Sequence, residues 1–210
     1  VLEKELSKPY EMIDMVTTPD GSLVAMVHCN NCTSDLNAWV NLFKEYQELL
    51  GIPVDMDELY GKLYNIALTG DTDCGGLLSY NYISGEPVTR LAEGRPLFVR
   101  SANDKFNLAN FMRAHLYASV GVLKIGNDIL FNEEKIKVDR ITGHGGLFRT
   151  KGVGQRVLAA AINSPISVME TAGEGGAWGI ALLGSYLVNN KKGQSLADFL
   201  DESVFVGDAG

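Results

Sequence analysis

The chain has 210 residues, of which 46% are hydrophobic and 21% charged, and its 18 basic against 26 acidic side chains give a formal net charge of −8. This is a globular composition, enough for one large domain or two small ones with a core that needs no staples. It excludes a nucleic-acid or anionic-membrane binder built on basic surface, and no run of about 18 apolar residues marks a transmembrane helix.

The chain opens with Val1-Leu2-Glu3-Lys4-Glu5-Leu6, already strand-like, with no Met and no signal-peptide pattern. The expectation is a fragment whose upstream partner is missing. Residues 11–16 and 22–27 flank Pro19-Asp20-Gly21, which is turn chemistry. With residues 1–6 they predict three antiparallel strands in sequence. A helix follows over 34–50, capped by Thr33, Ser34 or Asp35 and ended by Gly51, with Leu36, Trp39, Val40, Phe43 and Leu50 inward. A second is expected from Asp55 to Leu68, with Leu59, Leu63 and Ile66 inward, although Gly61 works against it.

Residues 69–101 are rich in Gly, Pro and Asp and read as one short strand within 75–87 followed by a long loop, either functional or a solvent-facing excursion. The longest helix is predicted from Asn107 to Ile125, with Leu108, Phe111, Met112, His115, Leu116 and Leu123 mostly on one face. Then come a strand over 136–141, a glycine cluster, a helix over 152–163, a short strand over 166–169, Gly173-Glu174-Gly175-Gly176, and a helix over 176–190. That last helix is rich in Ala, Gly and Leu and is expected to pack closely on its neighbours; residues 198–206 form a terminal piece. Strands and helices in this order predict an α/β layered domain with a mixed sheet flanked by helices.

The glycine cluster, Gly143-His144-Gly145-Gly146, sits between a strand and a helix. A ligand can approach bare N–H groups there, and the following helix start suits a phosphate. An empty strand-to-helix turn explains the same residues, so both readings stand. It is not a Walker A loop, because no Gly-Lys-Ser/Thr follows, and Phe148 breaks the dinucleotide fingerprint.

Cys29-Asn30-Asn31-Cys32, with His28 beside it and Cys74 further on, reads either as a metal or redox pair or as small buried thiols at a strand end. No second ligand pair exists, so no metal ligand is assigned. Three free thiols without a leader fit a reducing cytosol. His115 reads as a core histidine and His144 as a turn residue near a ligand, with a purely supporting role as its alternative. Glu133-Glu134-Lys135 reads as a solvated turn.

In order along the chain, several runs resemble the C-terminal domain of the FGGY carbohydrate kinases. These are Ser34 to Trp39, Gly76-Leu77-Leu78 with Ser84-Gly85-Glu86, Arg113-Ala114-His115-Leu116, and Gly145-Gly146. Gln155-Arg156-Val157-Leu158-Ala159, Ser164-Pro165-Ile166 and Ala177-Trp178-Gly179-Ile180-Ala181 complete the series. Two departures stand out: Tyr117 occupies a position the family usually fills with an acid, and Asn81-Tyr82 replaces a usual Pro-Tyr. The resemblance implies an actin-like ATPase fold of the ribonuclease H-like kind, with residues 1–210 as the C-terminal ATP-binding domain of a two-domain kinase. It implies transfer of the ATP γ-phosphoryl group to a sugar hydroxyl, a pentulose such as xylulose or ribulose, with Mg²⁺ as cofactor. Carried over by position, Gly145, Gly146 and Thr150, with Ser34 and Ala38, would line the nucleotide site. The catalytic carboxylate and the sugar contacts would lie in an N-terminal domain, so this chain alone would be inactive. The free thiols give a cytoplasmic location as the expectation, and a homodimer is allowed. The alternative is a non-catalytic nucleotide-binding module of the same superfamily.

Overall fold

The computed structural model describes residues 1–169 and 174–206. Twelve elements order it: β1 Asp14–Thr17, β2 Leu23–Met26, α1 Ser34–Leu49, α2 Met56–Ala67, β3 Leu78–Tyr80, β4 Leu97–Val99, α3 Leu108–Asp128, β5 Ile141–Gly143, α4 Val153–Ile162, β6 Ile166–Val168, α5 Gly175–Asn189 and α6 Leu196–Ser203. The α/β class is as expected. The strands pair in three two-stranded sheets, β1–β2 and β3–β4 antiparallel and β5–β6 parallel.

Helix α3 is the axis. Its start is fixed by Asn107, whose side chain accepts from the Asn110 N–H, and its buried side includes Phe111, Met112, Ala114, His115, Leu116, Ser119, Val120 and Val122. Helices α2 and α4 pack along it, and α1 closes the same core with Leu36 and Val40. Helix α1 ends where expected. Gly51 at φ +71 lets its own N–H reach the Glu48 carbonyl and the Ile52 N–H reach the Gln47 carbonyl, the paired hydrogen bonds of a Schellman turn. Asp55 caps α2 by accepting from the Glu58 N–H at 3.0 Å.

Several expectations are corrected. Residues 1–6 form no strand; Leu2 donates one hydrogen bond to the Leu23 carbonyl, too little to make a third ladder. The strand expected over 136–141 shrinks to Ile141–Gly143, the part that meets β6. The single strand of the 69–101 stretch is half of a hairpin, since Leu97–Val99 returns to pair with it. Ile66, Leu50 and Leu108 face solvent, while Tyr64 and Ala67 take the inner face of α2. Glu134 is not merely solvated: it accepts from the Ser7 N–H and hydroxyl and from Tyr10, which tethers the N-terminal stretch to the end of α3. Helix α5 buries no residue among those described; it meets α6 through a Tyr186–Phe199 edge contact and the stretch after α6 through Trp178–Phe205. Gly173, expected to open the turn before α5, lies outside the described residues.

Two glycines of α3 test the packing in opposite directions. A Cβ at Gly121 meets nothing within 4 Å, whereas one at Gly126 would lie 2.2 Å from Val27 Cγ1. Gly121→Ala is therefore expected to stabilise the chain by about 0.5–1 kcal/mol through helix propensity. Gly126→Ala should destabilise it, because β-branched Val27 cannot swing clear without leaving its packed rotamer. Urea unfolding of both variants checks this; equal stabilisation would place Val27 elsewhere.

Candidate functional site

After β5 the chain turns at Gly145, whose φ of +102° with ψ of 178° is a backbone region closed to residues with a Cβ. One 3₁₀ turn follows, Gly146–Phe148, and the Phe148 N–H donates to the Gly145 carbonyl at 3.0 Å. Leu147 drops into the core and anchors the turn, which leaves Gly146 exposed with open space where a Cβ would stand.

This turn forms one wall of a cavity of about 900 Å³. Gly146, Leu147, Arg149 and Thr150 supply that wall, Thr33 and Asn37 come from the start of α1, and Met56, Asp57, Tyr60, Gly61 and Tyr64 come from α2. The Tyr60 hydroxyl donates to Asn37 Oδ1 at 3.0 Å, tying α2 to α1 and leaving the Asn37 amide N–H groups free to donate. Tyr60 and Tyr64 meet edge to face at 5.5 Å, and burial raises both phenols, so they stay neutral donors. Arg149, at the rim, pairs with Glu174.

The α1 wall hangs on a buried carboxylate. Glu86 is fully buried, and its Oε2 accepts from the Asn30 N–H at 3.0 Å, the Asn31 N–H at 3.1 Å and the Asn31 amide at 3.1 Å. The Asn30 and Asn31 amides donate in return to the Gly85 and Ser84 carbonyls, and the Ser84 N–H donates to Asn31 Oδ1. Buried Asn81 donates to the Asn31 and Cys32 carbonyls. Glu86 itself is held by a two-way backbone exchange with Leu91. The segment 30–32 therefore has almost no freedom, and the first turn of α1 follows directly from it.

A second anchor acts one turn further on. His115 is buried against the rings of Trp39, Phe98 and Phe111, and its Nδ1 lies 3.0 Å from the Ser79 hydroxyl and 3.4 Å from Asp35 Oδ2. Its Nε2 has no partner among the described residues. Burial pushes the ring down to about 4, so it is neutral at pH 7 and the contact with Asp35 is not an ion pair. Burial also raises the Asp35 carboxyl, which a hydrogen bond from Trp39 partly opposes.

Of the residues singled out from the sequence, Gly146 and Thr150 line the cavity and Gly145 makes the turn beside them. Ser34 and Ala38 lie on the exposed side of α1, one position along from the lining residues Thr33 and Asn37. His144 is exposed next to the turn. Sequence reasoning missed the α2 wall. The i, i+4 pair Tyr60 and Tyr64 was its signal, on a helix read only for its leucines. Cys29 is the wrong kind of thiol for redox work, since burial and nearby Glu86 push it up to about 12. Among the described residues no three His, Cys, Asp or Glu side chains cluster as metal ligands.

Comparison with known proteins adds the following. The family model described as the FGGY family of carbohydrate kinases, C-terminal domain, matches residues 1–188. No curated protein matches by sequence. Among solved structures, the chain is similar to xylulose kinase from Rhodospirillum rubrum, with a TM-score of 0.63 at 18% identity over 91% of this chain and 36% of that one. It is also similar to xylulose kinase from Bifidobacterium adolescentis, with a TM-score of 0.56 at 15% identity over 81% of this chain and 32% of that one. Plasmodium falciparum glycerol kinase with ADP gives 0.51 at 18% identity over 76% and 30%. At these identities the likeness is one of fold. The chain spans about a third of the length of the solved kinases it matches.

Neutral His115 makes stability depend on pH. The unfolded chain takes up its proton near 6.5 and the folded chain only near 4, so between those values the unfolded state binds more protons and stability falls as pH is lowered. Asp35, raised by burial, works the other way at the acid end of that window. From about pH 7 to about pH 5 the expected loss is about 2 kcal/mol. Urea unfolding at both values should show it, and His115→Phe should flatten it; an unchanged slope in the variant would assign it to other groups.

Proposed function

The chain belongs to the FGGY family of carbohydrate kinases, and from that premise we propose that residues 1–210 are the C-terminal, nucleotide-binding domain of an ATP-dependent sugar kinase. The observation that carries this reading is the cavity at the glycine turn. Its volume of about 900 Å³ is ample for a nucleotide, and its composition suits one: a neutral aromatic wall, a free carboxamide and a bare backbone turn. In this reading the adenine lies against the Tyr60 and Tyr64 side and is oriented by Asn37. The phosphates run toward Gly146, where no Cβ keeps them from the backbone N–H groups. Arg149 stands at the rim with its charge shared with Glu174. Gly145 and Thr150 complete the proposed site at the turn, while Ser34 and Ala38 stand beside it, one position along from Thr33 and Asn37.

The reaction would move the ATP γ-phosphoryl group onto a sugar hydroxyl, proposed to be that of a pentulose such as xylulose or ribulose. A carboxylate base and the sugar contacts would come from an N-terminal domain. The role left to this chain is to hold the nucleotide in line and keep water from it when the two domains close. Mg²⁺ is expected to accompany ATP, but the residues present do not fit it. Asp57 is the single carboxylate on the cavity wall, and a lone carboxylate without clustered partners does not make a site. A cytoplasmic location, where ATP and reduced thiols coexist, belongs to the same proposal.

Calorimetric titration of this chain with ADP and ATP tests it, beside Gly146→Asp, which puts a Cβ and a negative charge into open space on the phosphate path. The chain should bind both nucleotides and phosphorylate no pentulose. The folded variant should bind at least about tenfold more weakly, since charge repulsion at contact exceeds about 1.4 kcal/mol in a partly desolvated site. Equal affinity in the variant would move the nucleotide away from the glycine turn, and pentulose turnover by the chain alone would overturn the division of labour.

A further inference from the structure

A second pocket, of about 220 Å³, opens where the end of α2 meets α3 and α4. It is lined by Ala67 and Leu68 from the α2 end, Arg113, Leu116 and Tyr117 from α3, and Arg156, Val157 and Ala160 from α4. Two arginines thus line a small space that has no acidic side chain among its described lining residues, in a chain whose net charge is −8.

Among the described residues neither arginine pairs with a carboxylate. The arginine ion pairs among the described residues are Arg90 with Glu11 and Arg149 with Glu174. Arg113 makes only long hydrogen bonds, 3.4 Å to the Ala67 carbonyl and 3.2 Å to the Tyr117 hydroxyl, and stacks its guanidinium 5.2 Å from the Tyr117 ring centroid. Its Nε is buried with no acceptor among the described residues. A buried charged donor left unpaired is destabilising by more than a neutral one, and native structures rarely leave such a group without an acceptor. The sequence shows why it is free. Tyr117 stands one helical turn after Arg113, at the position where an acid would neutralise it in an i, i+4 pair.

We propose that this pocket is a binding site for a small oxyanion, a phosphate or carboxylate group, held between the Arg113 and Arg156 guanidiniums. The volume is too small for a nucleotide and suits one oxyanion head group. Planar guanidinium forks match that geometry better than any other side chain. Arg113, fixed by its ring stack and by the α2 carbonyl, supplies the preorganised donor. Arg156, exposed on α4, completes the grip from the open side. The ligand is either free phosphate or the terminal group of a phosphorylated or dicarboxylic metabolite. This inference stands apart from the nucleotide reading and does not depend on it.

The test is titration of the chain with inorganic phosphate, and separately with succinate, at constant ionic strength, followed by the arginine Nε–Hε resonances in NMR. Saturable shifts of the Arg113 signal are expected. Phosphate affinity should fall at least about tenfold in Arg156→Met, a surface change that leaves the core alone. Tyr117→Glu should abolish binding by giving Arg113 an intramolecular acid, with stability kept. A response to phosphate alone identifies a phosphoryl ligand, and a stronger response to succinate a carboxylate. Absence of a saturable Arg113 shift with either anion, or equal affinity in Arg156→Met and Tyr117→Glu, would overturn the proposal.

Discussion

A fully buried carboxylate, Glu86, holds the segment from which the first helix springs. One of its oxygens takes three N–H donors from Asn30 and Asn31. The other is buried without a donor among the described residues. Burying a carboxylate is unfavourable unless its donors are fixed. The cost of disturbing the segment is therefore high, which is what makes it rigid. Thr33 and Asn37, the α1 contribution to the large cavity, inherit that rigidity. The same stretch of chain, Ser79 to Glu86, also supplies the Ser79 contact to His115 and the Asn81 bonds to the loop. A hairpin and the tight turn after it thus set one wall of the cavity.

The opposite wall is built differently. The glycine turn is held by backbone conformation and by Leu147 as a plug, with few side-chain hydrogen bonds of its own. A rigid α1 wall facing a bare backbone wall, with an aromatic helix between, separates the tasks a nucleotide site needs. In the proposed reading the base would be oriented by fixed side chains, while the phosphates would meet N–H groups with nothing in front of them. The parallel pair β5–β6 places the turn at the carboxyl end of a strand, the usual position for ligands in open α/β sheets.

Much of this was legible in the sequence, for reasons that can be named. Helices α1 to α4 declared themselves through apolar spacing, and Gly51 ends α1 as expected, but the cap expected from Thr33, Ser34 or Asp35 is not made: Thr33 stands at the cap position without a side-chain cap hydrogen bond. The glycine turn was visible as a turn because a glycine cluster between a strand and a helix marks a tight change of direction, whether or not a ligand sits there. The strands were less legible. Residues 136–140 alternate apolar and charged side chains as a strand should, yet they find no partner, and strand formation depends on the partner more than on the pattern. The hairpin strand Leu97–Val99 was hidden by its distance from Leu78–Tyr80. Glu86 carried no local sign of its role, because its donors lie 55 and 56 residues away. Tyr60 was overlooked because a tyrosine at helical spacing reads as core until its hydroxyl is seen on Asn37.

The most direct measurement is the ADP dissociation constant of Glu86→Gln, taken calorimetrically beside the unaltered chain. Glutamine keeps the shape and one weaker acceptor but removes the charge that gathers Asn30 and Asn31. If Glu86 holds the α1 wall of a nucleotide site, the variant should remain folded and bind ADP about tenfold more weakly, the loss of one charge-assisted hydrogen bond's worth of order. An unaltered ADP affinity in the folded variant would contradict this. It would mean either that the segment holds its place without the carboxylate or that the nucleotide does not rest against the helix this segment positions.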